Sequence, residues 1–109
     1  MDSQLELLKG TLDMLVLKTL ATGKLHGYGV SQRIRQISDN VLHVEEGSLY
    51  PALHRLERKG LIASQWGISE NNRKAKFYEL TSDGHKHLEA ERTNWRLLSQ
   101  AIDQIMQAS

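Results

Sequence analysis

Apolar residues recur along this chain at helical spacing in four stretches, and between the third and fourth they alternate as in strands. Leu5, Leu8, Leu12, Leu15, Val16 and Leu20, flanked by Leu7, Met14 and Leu17, predict a first helix over residues 4–21. Its apolar face is wider than one core contact requires, so a second cover is expected, and another subunit could supply it. A turn at 25–29 leads into a second helix over 27–37, with Val30, Ile34 and Ile37 on its apolar side. The glycines that open this helix fit either a tight turn or free N–H groups that favour an anion such as a DNA phosphate. Val41-Leu42-His43-Val44 reads as a short extended run able to supply a small first strand.

The third helix, over 46–59, organises the rest. Leu49, Leu53 and Leu56, with Ala52 beside them, share one face, while Ser48, Tyr50, Pro51, His54, Arg55 and Arg58 occupy the other. Pro51 is read as lying near the helix start, where a missing N–H costs little. Gly60 ends the helix, and a strand begins at once with Leu61 and Ile62. On this stretch alone, a reading helix and an ordinary amphipathic surface helix are both open. Runs at 61–66 and 75–80 predict a β-hairpin with a long tip over 67–74. Asn71, Asn72, Arg73 and Lys74 at that tip suit a nucleic-acid groove or a solvated loop, and Trp66 is assigned to packing between strand and helix. Thr81-Ser82-Asp83 supplies N-cap chemistry for a long last helix. Leu88, Trp95, Leu98, Ile102 and Ile105 form its apolar stripe, spaced like a coiled-coil seam and pointing to dimerisation.

The predicted fold class is therefore mainly α with a small β-hairpin: a winged helix-turn-helix domain over 1–81 and a C-terminal dimerisation helix over 82–109. Length fits one domain with a modest core. The net charge of +1 says little, but residues 24–81 hold nine Lys and Arg against six Asp and Glu, a basic middle between mildly acidic ends. The chain has no cysteine, which removes disulfides and thiolate metal sites and fits a cytoplasmic setting. No signal peptide or membrane-spanning run is visible.

Five sequence words in order resemble the PadR-like transcriptional regulators, specifically the small type with a single C-terminal helix. They are Leu8-Lys9-Gly10-Thr11-Leu12-Asp13, His26-Gly27-Tyr28-Gly29-Val30, the run from Glu46 to Glu57, Gly60-Leu61-Ile62, and Tyr78-Glu79-Leu80-Thr81-Ser82-Asp83-Gly84. The wing departs from the family pattern, having Ser69-Glu70-Asn71-Asn72 where glycines are common. The resemblance implies a homodimeric repressor of an inverted-repeat operator in double-stranded DNA, relieved by a small ligand. It implies that Ser48, Tyr50, Pro51, His54 and Arg55 face DNA. Among these Arg55 has the best chemistry for base readout, because its fork can bond both guanine O6 and N7. Tyr28 and Tyr50 suit phosphate contacts, and Arg73, Lys74 and Lys76 the flanking backbone. Dimer contacts are expected from Leu5, Leu8, Leu12, Leu88, Trp95, Leu98, Ile102 and Ile105. In small drug-sensing members a tryptophan of the last helix stacks on planar aromatic, drug-like effectors between subunits. Trp95 sits at a comparable place, with packing in the dimer seam as the alternative reading.

An enzyme is not expected, since no glycine-rich phosphate loop, cysteine nucleophile or serine–histidine pairing is evident. No cofactor or metal is expected either; His85 and His87, two apart at a helix start, face different sides. A relative of the drug-responsive MarR-type regulators would need further helices, for which there is little room. The remaining alternative is a winged-helix module that binds protein without specific DNA binding.

Overall fold

The computed structural model describes residues 9–109. Leu5 and Leu8, two of the expected dimer contacts, lie outside the described residues. Within them the chain forms α1 (Lys9–Leu20), β1 (Leu25–His26), α2 (Gly27–Ile37), α3 (Glu46–Arg58), β2 (Ile62–Ile68), β3 (Lys74–Leu80) and α4 (Ser82–Gln107). The fold is a mainly helical winged helix with a small antiparallel sheet, from which a long C-terminal helix extends.

α1 is the hub. Leu12, Met14, Val16, Leu17 and Leu20 are buried, and α1 packs against α2, α3, α4 and β3. Among the described residues of this helix, the apolar surface is thus covered largely by the chain itself. Leu12 and Leu88, both expected at a dimer contact, are buried in this core and have almost no surface left for a partner. Thr19, also buried, satisfies its hydroxyl by donating to the Leu15 carbonyl at 2.7 Å.

The sheet corrects one expectation. The first strand is Leu25–His26, paired antiparallel with Tyr78 and Phe77, and the order is β1-β3-β2. Val41–Val44 forms no strand. Asp39 and Asn40 just before it have left-handed φ values of 52° and 67°, and the Leu42 N–H donates to Ser38 Oγ at 3.0 Å. That local chemistry turns the segment into a connection whose Leu42 and Val44 rest against the core. Ile37, expected on the apolar side of α2, is exposed.

At the corner after α3, three elements are tied together. Gly60 has φ 75°, the Leu61 N–H donates to the Leu56 carbonyl at 3.0 Å, and the Gly60 N–H donates to the Glu57 carbonyl at 3.0 Å. This is the paired bonding of a Schellman cap, closed by the buried Leu56 and Leu61. Thr81 ties α4 to the same corner, donating through N–H to Leu61 O at 3.1 Å and through Oγ1 to Gly60 O at 2.7 Å. Its hydroxyl also accepts from the Gly84 N–H at 3.0 Å and so caps α4. A Cβ on Gly84 would collide with the Leu61 carbonyl oxygen, so only glycine permits this seat.

Candidate nucleic-acid interface

At 100° per residue, α3 divides into four sides. Leu49, Ala52, Leu53 and Leu56 are buried. Pro51, His54 and Arg58 point directly away from them and are exposed. Tyr50 and Glu57 flank the side next to the hairpin, and Ser48 and Arg55 the side next to α1. Tyr50, Pro51, His54, Arg55 and Arg58 line a shallow depression on the open face. Pro51 is the sixth residue of the helix, not a first-turn residue, so its missing N–H removes a bond to the Gly47 carbonyl. That carbonyl lies on the solvated side, where water can serve it.

Arg55 has another partner. Its Nη2 donates to Asp13 Oδ1 of α1 at 2.8 Å, with the two side chains 18% and 14% exposed. Its Nε is buried and has no hydrogen-bond partner among the described residues. Through Nη2 the guanidinium thus braces α3 against α1 while the residue still borders the open depression. The sequence reading missed Asp13, though an isolated acid within an apolar helix signals a buried cation nearby.

The start of α2 is built by a close approach. A Cβ on Gly27 would stand 2.8 Å from Tyr50 Oη, so glycine here lets the phenol of α3 lie against the α2 backbone. The N–H of Gly29 is used by His26 Nδ1 at 3.0 Å, an N-cap bond. Neither Gly27 nor Gly29 has a positive φ, so Gly27 serves the close approach of Tyr50, and His26 takes the one N–H of Gly29. Tyr28 is exposed, its hydroxyl accepting from Gln32 Nε2 at 3.3 Å.

The hairpin is longer in strand and shorter in tip than the sequence suggested. β2 runs through Ile68 and β3 starts at Lys74. The turn between them is closed by Ser69 N–H donating to Arg73 O at 2.8 Å, with Asn72 at φ 58°. Asn72, Arg73 and Lys74 are exposed there. Lys76 is half-buried, its Nζ 3.8 Å from Glu57 Oε1, so this cation is partly committed to α3. Glu57 also accepts from Ser64 Oγ, binding the hairpin to the helix through one carboxylate. Tyr78, buried where α3 meets the hairpin, has its pKa raised above the ordinary 10.0 by burial first, then by Glu57 and Tyr50. Trp66 does not pack between strand and helix: it is 62% exposed, with Lys74 Nζ 5.2 Å from its ring centroid.

Beyond Leu88, α4 leaves its core. Trp95, Leu98, Ile102 and Ile105, with Met106 beside them, form an apolar stripe that the described residues leave uncovered, and Leu97 is exposed on the opposite side of the helix. No helix of the described residues is long and apolar enough to cross a membrane.

A helix with one buried and one open polar face, held beside a two-stranded wing, defines a winged helix-turn-helix protein of the DNA-binding kind. Comparison with known proteins narrows the class. Residues 16–90 match the transcriptional regulator PadR-like family, and the chain belongs to that family. A transcriptional regulator of Mycobacterium tuberculosis is 30% identical over 87 residues, covering 80% of this chain and 78% of that protein. A transcriptional regulator from Clostridium thermocellum superposes with a TM-score of 0.80 at 31% identity, over 88% of this chain and 93% of its own. A PadR-like transcriptional regulator from Bacillus cereus gives 0.79 at 28% identity, over 93% of this chain and 96% of its own. The protein is thus a DNA-binding transcriptional regulator, which sets the enzyme reading aside.

Proposed function

We propose that the chain acts as a homodimer that sets two α3 helices into successive major grooves of an inverted-repeat operator, about 34 Å apart. It represses there, and a planar aromatic effector at the subunit junction relieves the repression. The observation that carries this reading is the division of α3 into a fully buried side and a side where Ser48, Tyr50, Pro51, His54 and Arg58 stand open. Residues 1–81 form the DNA-binding unit and 82–109 the dimerisation helix, whose Trp95, Leu98, Ile102 and Ile105 pair with those of a second copy. Arg58 and His54 are the first candidates for base edges, Tyr50 and Tyr28 for phosphates, and Asn72, Arg73 and Lys74 for the flanking backbone. Lys76 joins them to the extent that Glu57 releases it. Arg55 braces α3 to α1 through Asp13 and joins the readout set at the edge of the open face.

An effector stacked on Trp95 would have to favour a helix spacing that does not fit the operator over the one that does. Equal affinity for both would change nothing. Two measurements test the scheme. Duplexes selected from a randomised pool are expected to share an inverted repeat with half-sites one turn apart, and Arg58→Ala to relax its sequence preference. Planar cationic dyes are expected to quench tryptophan emission, with the effect lost in Trp95→Ala. No DNA binding even at low salt would overturn the first half and leave a protein-binding module. Quenching retained without Trp95 would overturn the second.

A further inference from the structure

The sheet order β1-β3-β2 makes β2 an edge strand. Strand edges are usually blunted by charge, proline, a bulge or shortness, since their free N–H and C=O groups invite another chain. β2 has none of these: its seven residues, Ile62-Ala63-Ser64-Gln65-Trp66-Gly67-Ile68, carry no charge and no proline, and they pair with β3 in unbroken register. The bonds that flank this pair tell which groups face outward. Thr81 N–H donates to Leu61 O at 3.1 Å at one end, and Ser69 N–H donates to Arg73 O at 2.8 Å at the other. Bonded residues alternate in an antiparallel ladder, so Ala63, Gln65 and Gly67 bond β3 while Ser64, Trp66 and Ile68 turn their N–H and C=O groups to the free edge. No backbone group among the described residues meets them there.

The side chains beside this edge choose its occupant. Ser64, Trp66 and Ile68 share one face of the sheet; Ser64 is taken by Glu57 of α3, whereas Trp66 and Ile68 are exposed. Lys74, opposite Ile68 in register, reaches over the indole, its Nζ 5.2 Å from the ring centroid. It has no carboxylate partner among the described residues. An incoming strand thus meets main-chain donors and acceptors, two apolar side chains and an ammonium without a carboxylate. A second copy's β2 matches this poorly, since it has no carboxylate to offer and brings a second Lys74 with it. We propose that the outer edge of β2 accepts an extended segment of another protein as a fourth strand, with apolar residues against Trp66 and Ile68 and a carboxylate on Lys74. Main-chain bonds supply the fit, and the carboxylate supplies the choice of partner. Lys74 serves this carboxylate or a DNA phosphate, not both at once.

The test uses the full chain without DNA, so its outcome does not depend on the duplex reading. The probe is a capped peptide of seven residues in which threonine alternates with valine, glutamate and valine. On binding, the amides of Trp66 and Ile68 should gain protection from hydrogen exchange, while those of Gln65 and Gly67, already bonded to β3, should change little. Replacing the peptide's glutamate by lysine should weaken binding about fivefold, as expected when an exposed ion pair is turned to repulsion. Lys74→Ala should bind the two peptides alike, and Trp66→Ala should bind the glutamate peptide about tenfold more weakly. Both variants should melt with the parent because these side chains are exposed. No binding of the glutamate peptide at millimolar concentration overturns the proposal. Equal binding of a fully N-methylated peptide overturns it too, since that peptide cannot donate to a strand edge. Protection of Trp66 and Ile68 that deepens with chain concentration alone gives the edge to a second copy instead.

Discussion

Arg55, at the edge of the open face of α3, is held by a carboxylate 42 residues earlier in the chain. On the helical wheel it lies about 40° from Pro51 and about 60° from Arg58, at the edge of the open face that borders α1. The sequence made Arg55 attractive because guanidinium chemistry suits guanine, but chemistry alone does not say which way a flanking side chain turns. Removing one partner should be costly, since the other charge stays largely enclosed. Asp13→Ala is expected to lose about 3 kcal/mol of stability. Replacing both, as Asp13→Leu with Arg55→Met, should restore most of it; urea denaturation of the two single variants and the double completes the comparison. A double variant no more stable than the singles would show that the pair carries no such penalty. Tyr78 gives a second residue-scale outcome. Its pKa is raised in the folded chain, so folding favours the neutral phenol. The stability this contributes is intact below about pH 10 and is lost as pH rises through the ordinary tyrosine value toward the raised one. Phenolate absorbance from Tyr78 should appear above the ordinary tyrosine range, and Tyr78→Phe should remove that alkaline loss.

Helices declare themselves where local rules agree. The bounds of α2 were legible because glycines open it and polar turn residues close it, and α3 because an apolar stripe ends at Gly60. The hairpin was legible from its alternation, although its strands extend further than the alternation did. The illegible parts depend on distant partners. Leu25–His26 has nothing of a strand in its own sequence and exists because β3 offers it an edge. Trp66 was misplaced for a related reason: period-two alternation assigns a face, but not how far that face extends beyond the body. Gly84 belongs to this scale too, because its lack of a side chain lets one element sit on the corner of another. Gly84→Ala should destabilise the chain by about 2–3 kcal/mol despite the better helix propensity of alanine. Thermal denaturation checks this; a neutral or stabilising effect would mean the corner yields to a methyl group.

The described residues measure 56 × 35 × 21 Å, long for their number because α4 runs past the core. The proposed dimer seam rests on spacing, and burial separates the residues that have surface to give from those that do not. Leu12 and Leu88 are spent on the chain's own core, whereas Trp95, Leu98, Ile102 and Ile105 stand clear of it. Ile102→Glu should therefore leave the single chain folded, shift sedimentation toward the monomer, and weaken binding to an inverted repeat far more than binding to a half-site. Unchanged sedimentation would place the subunit contact elsewhere. The knot of Thr81 and Gly84 on the Gly60–Leu61 corner makes this geometry mechanical. That corner and the buried Leu88 together form a fulcrum, with the end of α3 bolted to one side and residues 89–107 of α4 extending from the other as an arm about 29 Å long. A tilt of about 5° at the fulcrum sweeps the arm's far end by about 2.5 Å. Between two chains joined along their arms, small changes in how the arms lie together thus become large changes in the distance between the two reading helices.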